Sequence, residues 1–220
     1  MVTVKKILFK ANGRVHIHLS NGEKILTFDD LLVKNPLSVD QELDERQLQQ
    51  LEYEVQIIGC RNKALRLLGR RAHSAREIKT KLYQSGKFPG DVIAGAVDEL
   101  IEKGYIDDLE FARAFIRDRI LLRPDLGRSR TINDLCKKGI PRHTAKQLFE
   151  DAELDPEEEL ARAEKTAAKK WKTYKGQDFY KDKARLARFL TGRGFPGHII
   201  STILKKLKKD NEDENPFSNE

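Results

Sequence analysis

The chain has 220 residues, 42 Lys/Arg against 35 Asp/Glu for a net charge of +7, and 39% apolar residues. That balance favours several small amphipathic units over one thick core, and no apolar run approaches the roughly 20 residues that a bilayer span needs. The charge is uneven: residues 1–59 carry a net −2, residues 60–106 a net +5 and residues 157–209 a net +9, which points to a polyanionic partner.

The opening "MVTVKKILFKANGR" lacks a continuous apolar stretch followed by a cleavage site, so no secretory signal and no membrane association are expected. "KKILFK", "RVHIHLS" and "EKILTF" are short, alternating or β-branched, and are separated by "ANG" and "NG". They read as three strands joined by tight turns. His16 and His18 share one strand face, but no nearby Cys or His completes a metal site, so an exposed face is expected.

After Thr27 the period changes. Thr27 with Asp30, and Asp44 with Gln47, read as helix starts. From about 44 to 70 the apolar residues Leu48, Leu51, Val55 and Ile58 form one helical stripe, continued by Ala64, Leu65 and Leu68. Gly59 is the expected kink or break in it. Cys60 and Cys136 lie among apolar neighbours and read as buried free thiols in a reducing, cytoplasmic setting.

From there to about 208 one pattern recurs. Phe88, Ile140 and Phe195 stand 52 and 55 residues apart, and each is followed by a proline: Pro89, Pro141 and Pro196. Gly86, Gly139 and Gly194 precede them by one or two residues, and Leu82, Leu135 and Leu190 lie four residues before each glycine. Counting from each proline, the apolar positions recur at helical spacing: Val92, Ile93, Ala96 and Val97; Ala145, Leu148 and Phe149; Ile199, Ile200, Ile203 and Leu204. The pattern is a helix ended by a left-handed glycine, an apolar residue packing back, and a new helix opened by proline. Further helices are expected upstream at about 61–69, 109–123 and 157–174. The expected fold is mainly α: three tandem three-helix repeats in an elongated, curved array, with a small strand-rich N-terminal extension. The expected boundaries are 1–59 for the extension and a linking helix, 60–106, 107–155 and 156–209 for the repeats, and 210–220 for an acidic disordered tail.

"TGRGFPG" at 191–197 also spells G-x-G-x-x-G, the phosphate-binding fingerprint of dinucleotide folds. That fingerprint requires a preceding strand. Here a basic amphipathic segment, "KARLARFL", precedes it, and the glycines read as helix punctuation. No P-loop, H-E-x-x-H or C-x-x-C pattern is present. Asp107 with Asp108, and Ser74 with Glu77, read as helix caps rather than acid–base or nucleophilic chemistry. No catalytic, cofactor or metal residues are expected.

Three stretches carry a family resemblance. "NKALRLLGRRAHSAREIKTKL" (62–82) echoes the pattern RALRLLxxRxxSxxEIxxKL. Gly104, Tyr105, Ile106, Asp107, Asp108, Phe111 and Ala112 match GYIDDxxFA. Arg123, Pro124, Gly127, Arg130, Leu135, Lys138, Gly139 and Ile140 match RPxxGxxRxxxxLxxKGI. The chain resembles the RecX family of recombination regulators over residues 60–208, departing at Thr131, where a branched apolar residue is usual, and at Cys136. The resemblance implies a non-enzymatic modulator in DNA recombination, DNA repair and the SOS response. Such a protein binds the RecA filament and single- and double-stranded DNA, inhibits RecA ATPase and strand exchange, and acts without cofactor as a cytoplasmic monomer.

The cationic residues expected to meet DNA or RecA are Arg70, Arg71, Arg117, Arg123, Arg128, Arg130, Lys138, Lys169, Lys170, Lys172, Arg185 and Arg188. Arg66 with Arg70, Arg113 with Arg117, and Lys165 with Lys169 are spaced to share helix faces. Trp171, Tyr174, Phe179 and Tyr180 read as core residues joining two helices of the third repeat, with base stacking as the other reading. A stand-alone helical DNA-binding or transcription module is the alternative function, since helix-turn-helix units also join two helices through a Gly-containing turn.

Overall fold

The alternation at the N-terminus folds as expected into antiparallel strands β1 (Val2–Lys10), β2 (Arg14–Leu19) and β3 (Lys24–Phe28). A fourth strand, β4 (Glu42–Leu43), pairs with Val2 and Thr3 and completes a sheet of order β3-β2-β1-β4. Two residues are too few to show a period of two, so no sequence pattern announces β4. The structure is a computed structural model that describes residues 1–152, 155–174 and 178–213. Two units are seen, Met1–Asp108 and Leu109–Glu220.

In the first unit, helix α1 (Asp30–Lys34) is capped by Asp29, whose carboxylate accepts from the Asp30 N–H at 3.0 Å. Helix α2 (Glu45–Leu68) opens on the expected capping box. The Gln47 N–H donates to Asp44 Oδ1 at 2.7 Å, and the Asp44 N–H donates to Gln47 Oε1 at 2.9 Å. Gly59 neither breaks nor ends this helix. A Cβ there would meet the Phe88 ring at 3.4 Å, an ordinary contact. The expected division after residue 59 therefore falls inside one 24-residue helix.

Helix α2 serves two cores. Leu51 and Ile58 pack with Val4, Val15, Ile17, Leu19, Ile25, Leu31 and Leu43 under the sheet. Cys60 and Ala64 pack with Ile78, Leu82, Val92, Ile93, Ala96, Val97 and Leu100, which come from helices α3 (Ala75–Gln84) and α4 (Gly90–Glu102). Between the two cores the buried Arg61 donates to Asp30 on α1 and, at 3.2 Å, to Glu99 on α4.

The second unit holds two further three-helix modules. One comprises α5 (Asp108–Leu122), α6 (Arg128–Lys137) and α7 (Arg142–Asp151), around Phe111, Ile116, Leu135, Ile140, Leu148 and Phe149. The other comprises α8 (Pro156–Trp171), α9 (Phe179–Arg193) and α10 (Gly197–Asp213), around Ala163, Ala167, Leu186, Leu190, Phe195, Ile199 and Ile203. The fold is thus mainly helical, with three three-helix modules and a small strand-rich extension.

The recurring glycines do what their spacing requires. Gly86, Gly139 and Gly194 have φ of 62°, 96° and 87°. Beyond two of them the next N–H turns back to close the helix: Ile140 donates to the Leu135 carbonyl at 3.1 Å and Phe195 to the Leu190 carbonyl at 3.2 Å. The prolines stand one position earlier than expected. Pro89 and Pro141 are the N-caps of α4 and α7, and their carbonyls accept the first helical bonds, from Ile93 at 3.1 Å and Ala145 at 2.9 Å.

Other expectations shift in detail. Cys60 is buried but Cys136 only half-buried. Helix α10 runs to Asp213, four residues into the expected disordered tail 210–220, whose remainder, 214–220, lies outside the described residues. The G-x-G-x-x-G run straddles α9 and α10, with a helix rather than a strand before it. Among the described residues no helix is long and apolar enough to cross a membrane.

Candidate nucleic-acid interface

The cations that sequence singles out divide into two kinds. Seven are engaged inside the chain. Arg71 donates to Glu77 at 3.2 Å, Arg123 to Asp125 at 3.1 Å, and Arg185 to the buried Asp182 at 3.0 Å. Arg130 lies 3.6 Å from Asp134, and Arg128 lies 3.7 Å from the buried Glu159 with its guanidinium over the Phe149 ring. Lys138 sits over the Phe111 and Phe115 rings, and Lys170 over Tyr174 and Phe189. The other five, Arg70, Arg117, Lys169, Lys172 and Arg188, are exposed, and no ion pair holds them among the described residues. Because α2 ends at Leu68, Arg70 lies in the turn beyond it and not on a helix face with Arg66. Arg113 and Arg117 do share the exposed side of α5.

A dense grouping lines a cleft of about 600 Å³ between α8, α9 and the Pro124–Asp125 loop. Helix α8 supplies Arg162, Lys165, Lys169 and Lys170, which recur at helical spacing along one face; α9 supplies Phe189 and Arg193. Among the described residues Asp125 is the one acid on the wall, and Arg193 and Arg123 both hold it. The hydrogen bond from Arg123 comes first among the causes that keep its carboxyl below the usual carboxylate range. Arg162 Nε is buried with no hydrogen-bond partner. Around it Lys165, Lys169, Lys170 and Arg193 present cationic donors of the kind that bind anionic oxygens. Sequence reasoning identified Lys169 and Lys170 here and paired Lys165 with Lys169. It missed Arg162, which the same period extends to, and Arg193, which only the packing of α9 brings in.

Backbone geometry positions this cleft. The N–H groups of Gly127 and Ser129, at the start of α6, donate to the carbonyls of Arg193 and Gly194, at the end of α9, both at 3.0 Å. The Arg128 N–H donates to Glu159 on α8 at 3.0 Å. Orphan donors of one helix thus meet orphan acceptors of another, which aligns their dipoles head to tail. Gly127 and Gly194 allow the approach: a Cβ on Gly127 would stand 2.4 Å from the Gly194 oxygen, and one on Gly194 would stand 2.3 Å from the Arg130 nitrogen.

The aromatic residues of the third module are mostly structural. Trp171 packs edge-on against Tyr174 and Phe179, each at 5.9 Å, and Trp171 and Tyr174 lean on the module's core. Tyr180 departs from that expectation, with 74% of its surface exposed. Asp108 caps across the chain, its Oδ1 accepting from the Ala75 N–H of α3 at 2.8 Å, and Ser74 with Glu77 forms the expected capping box of α3. Thr131 is buried, its hydroxyl facing the Gly127 carbonyl at 3.4 Å. Among the described residues no group of three His, Cys, Asp or Glu is placed to hold a metal.

Comparison with known proteins adds an independent line. Residues 60–100 match the family model described as the first three-helix domain of RecX, and residues 157–204 match that of its third. The chain is 35% identical over 144 residues to the regulatory protein RecX of Chlorobium phaeobacteroides, covering 66% of this chain and 90% of that one. It is 27% identical to that of Clostridium perfringens strain SM101, over 89% of this chain and 90% of its relative. A crystal structure of regulatory protein RecX superimposes with a TM-score of 0.77 at 22% identity, over 92% of this chain and 98% of that one, a likeness of fold. The structure of RecX from Lactobacillus salivarius gives 0.59 at 24% identity, over 70% and 97%.

Proposed function

Because the chain belongs to the RecX family of regulatory proteins, we propose that it modulates the RecA recombinase without catalysing a reaction of its own. In this reading it binds the RecA nucleoprotein filament and single- and double-stranded DNA, and it lowers RecA ATPase and strand exchange. It works in the cytoplasm as a monomer and needs no cofactor.

The cationic cleft of the third module is the observation that carries the reading. Five cations line a concave wall whose one acid among the described residues is already held by Arg193 and Arg123. Such a wall attracts phosphate oxygens, because in a cleft the field of like charges is focused and poorly screened. Arg70, Arg117, Lys172 and Arg188 add exposed positive charge outside it.

The decisive measurement is RecA-dependent ATP hydrolysis and strand exchange on single-stranded DNA, with and without this protein. Both rates are expected to fall as it is added. Rates that do not change would refute RecA as the target, and sequence-specific duplex binding without RecA would favour the transcription-module alternative. Reversal of Lys165 and Lys169 to Glu is expected to weaken DNA binding while the helical circular dichroism stays intact. Two lost phosphate contacts make the salt slope on single strands shallower by about 1.4. Arg185→Glu is a poorer probe than its exposure suggests, since it would set a second carboxylate against the buried Asp182.

A further inference from the structure

The outward face of the N-terminal sheet has no part in the cleft, and its composition is unusual. The register of β1, β2 and β3 sets three rows of side chains on it: Lys6, His18 and Lys24; Leu8, His16 and Leu26; and Lys10 with Arg14, whose row ends at Phe28, packed against the core. The opposite face carries the buried Val15, Ile17, Leu19, Ile25 and Thr27. Among these eight outward positions four are Lys or Arg, two are His and none is acidic. Lys6, Lys10, Arg14 and Lys24 are exposed, and no ion pair engages them among the described residues. The nearest acids are spoken for: Glu23 accepts from Asn21 at 2.6 Å, Asp29 caps α1 and Asp30 is bound by Arg61.

Like charges directly opposite one another destabilise a sheet. Lysines on the edge strand β3, and on β1 beyond its two-residue pairing with β4, discourage further strand pairing. That purpose does not account for the middle strand, whose outward residues are Arg14, His16 and His18. His18 is held below the usual histidine range, first by desolvation and then by Lys24, Lys6, His16 and Lys10. Two cationic rows about 13 Å apart therefore flank a row of two leucines and an imidazole. Leu26 leaves 61% of its surface in water.

We propose that this face is a second nucleic-acid surface, which takes a single strand with its phosphates on the two cationic rows and a base on the Leu8–His16–Leu26 row. A single strand suits it better than a duplex, because only unpaired bases can lie on an apolar strip while their phosphates reach both flanks. The choice of polyanion rests on the DNA reading above, but the surface shares no residue with the cleft.

The test is fluorescence anisotropy of the full chain with labelled oligothymidylate and with duplex of equal length, across a salt series. Lys6→Glu with Lys24→Glu is expected to weaken single-strand binding about tenfold and to make the salt slope shallower by about 1.4. His16→Ala is expected to cost about fivefold or more, and His16→Phe to restore binding, because the ring supplies the stack. Should the double reversal disturb the far-ultraviolet dichroism, Lys6→Gln with Lys24→Gln and its salt slope replace it. Unchanged affinity and slope in the folded sheet variants, with binding lost in the Lys165/Lys169 variant, would overturn the sheet surface and leave DNA binding by the cleft standing. Tighter binding of duplex, no binding of oligothymidylate by the unaltered chain, or a stronger loss on phosphatidylglycerol vesicles than on oligothymidylate would each overturn it as well. The RecA reading is judged separately, by the ATPase assay.

Discussion

Gly86 and Gly194 both end helices in the left-handed region, yet their surroundings differ. Nothing lies within 4 Å of a Cβ on Gly86, so Gly86→Ala is expected to cost only the conformational penalty, about 1 kcal/mol. At Gly194 the same methyl group would enter the backbone of Arg130, at 2.3 Å. Gly194→Ala is therefore expected to be much more damaging, and thermal melts of the two variants side by side check the order. His73 offers a test by pH. It is 5% exposed, and burial, then Arg71, holds its imidazole below the usual range. As pH falls through about 6.5 the unfolded chain takes up this proton before the folded one does, so stability is full above that value and declines below it. His73→Gln is expected to flatten that part of the dependence of Tm on pH. Arg61 bridges Asp30 and Glu99 while 8% exposed. Its replacement by Ala removes two charge-assisted contacts and leaves Glu99 to Lys103, at 2.6 Å, so about 2 kcal/mol of destabilisation is expected in urea unfolding.

Elements were legible at most places where a local chemical signal marks them, though the helix start read at Thr27 belongs to Asp29, and Thr27 is buried in β3. The capping boxes at Asp44 and Ser74 and the glycine stops at 86, 139 and 194 are properties of a few adjacent residues, and the structure has them where the spacing puts them. What escaped depends on distant neighbours. Gly59 resembles a helix break until Phe88 is known to pack on it. A methyl group at Gly59 would meet the ring at ordinary contact distance, so Gly59→Ala is expected to be tolerated, even stabilising by up to about 1 kcal/mol from helix propensity. The candidate site shows the same divide. A run such as Arg162, Lys165, Lys169 and Lys170 can be read from helical spacing, whereas Arg193 reaches the cleft only through tertiary packing. Pairing also decides which cations remain available. Arg128 reads as a free cation until Glu159, 31 residues away, is found beside it.

At the scale of the molecule, positive charge is concentrated in segments that sequence composition already marks, and the sheet face shows that net charge conceals local charge. Residues 1–59 are net acidic, yet their outward strand positions carry no acid. Binding that neutralises about six phosphates is expected to give a log–log salt slope near −5 on duplex and near −4 on single strands. A titration from low to high salt measures it, and a flat response would argue against phosphate contacts altogether.

Helix α2 is one rod with two tenants, a sheet on its first half and a helical module on its second. The strand region therefore cannot be shed as a dispensable arm. Removing residues 1–43 would leave the Leu48–Ile58 stripe naked, and a truncated chain of this kind is expected to self-associate, which light scattering would detect. Any lineage that dispenses with the strands must also rewrite that stripe in polar residues.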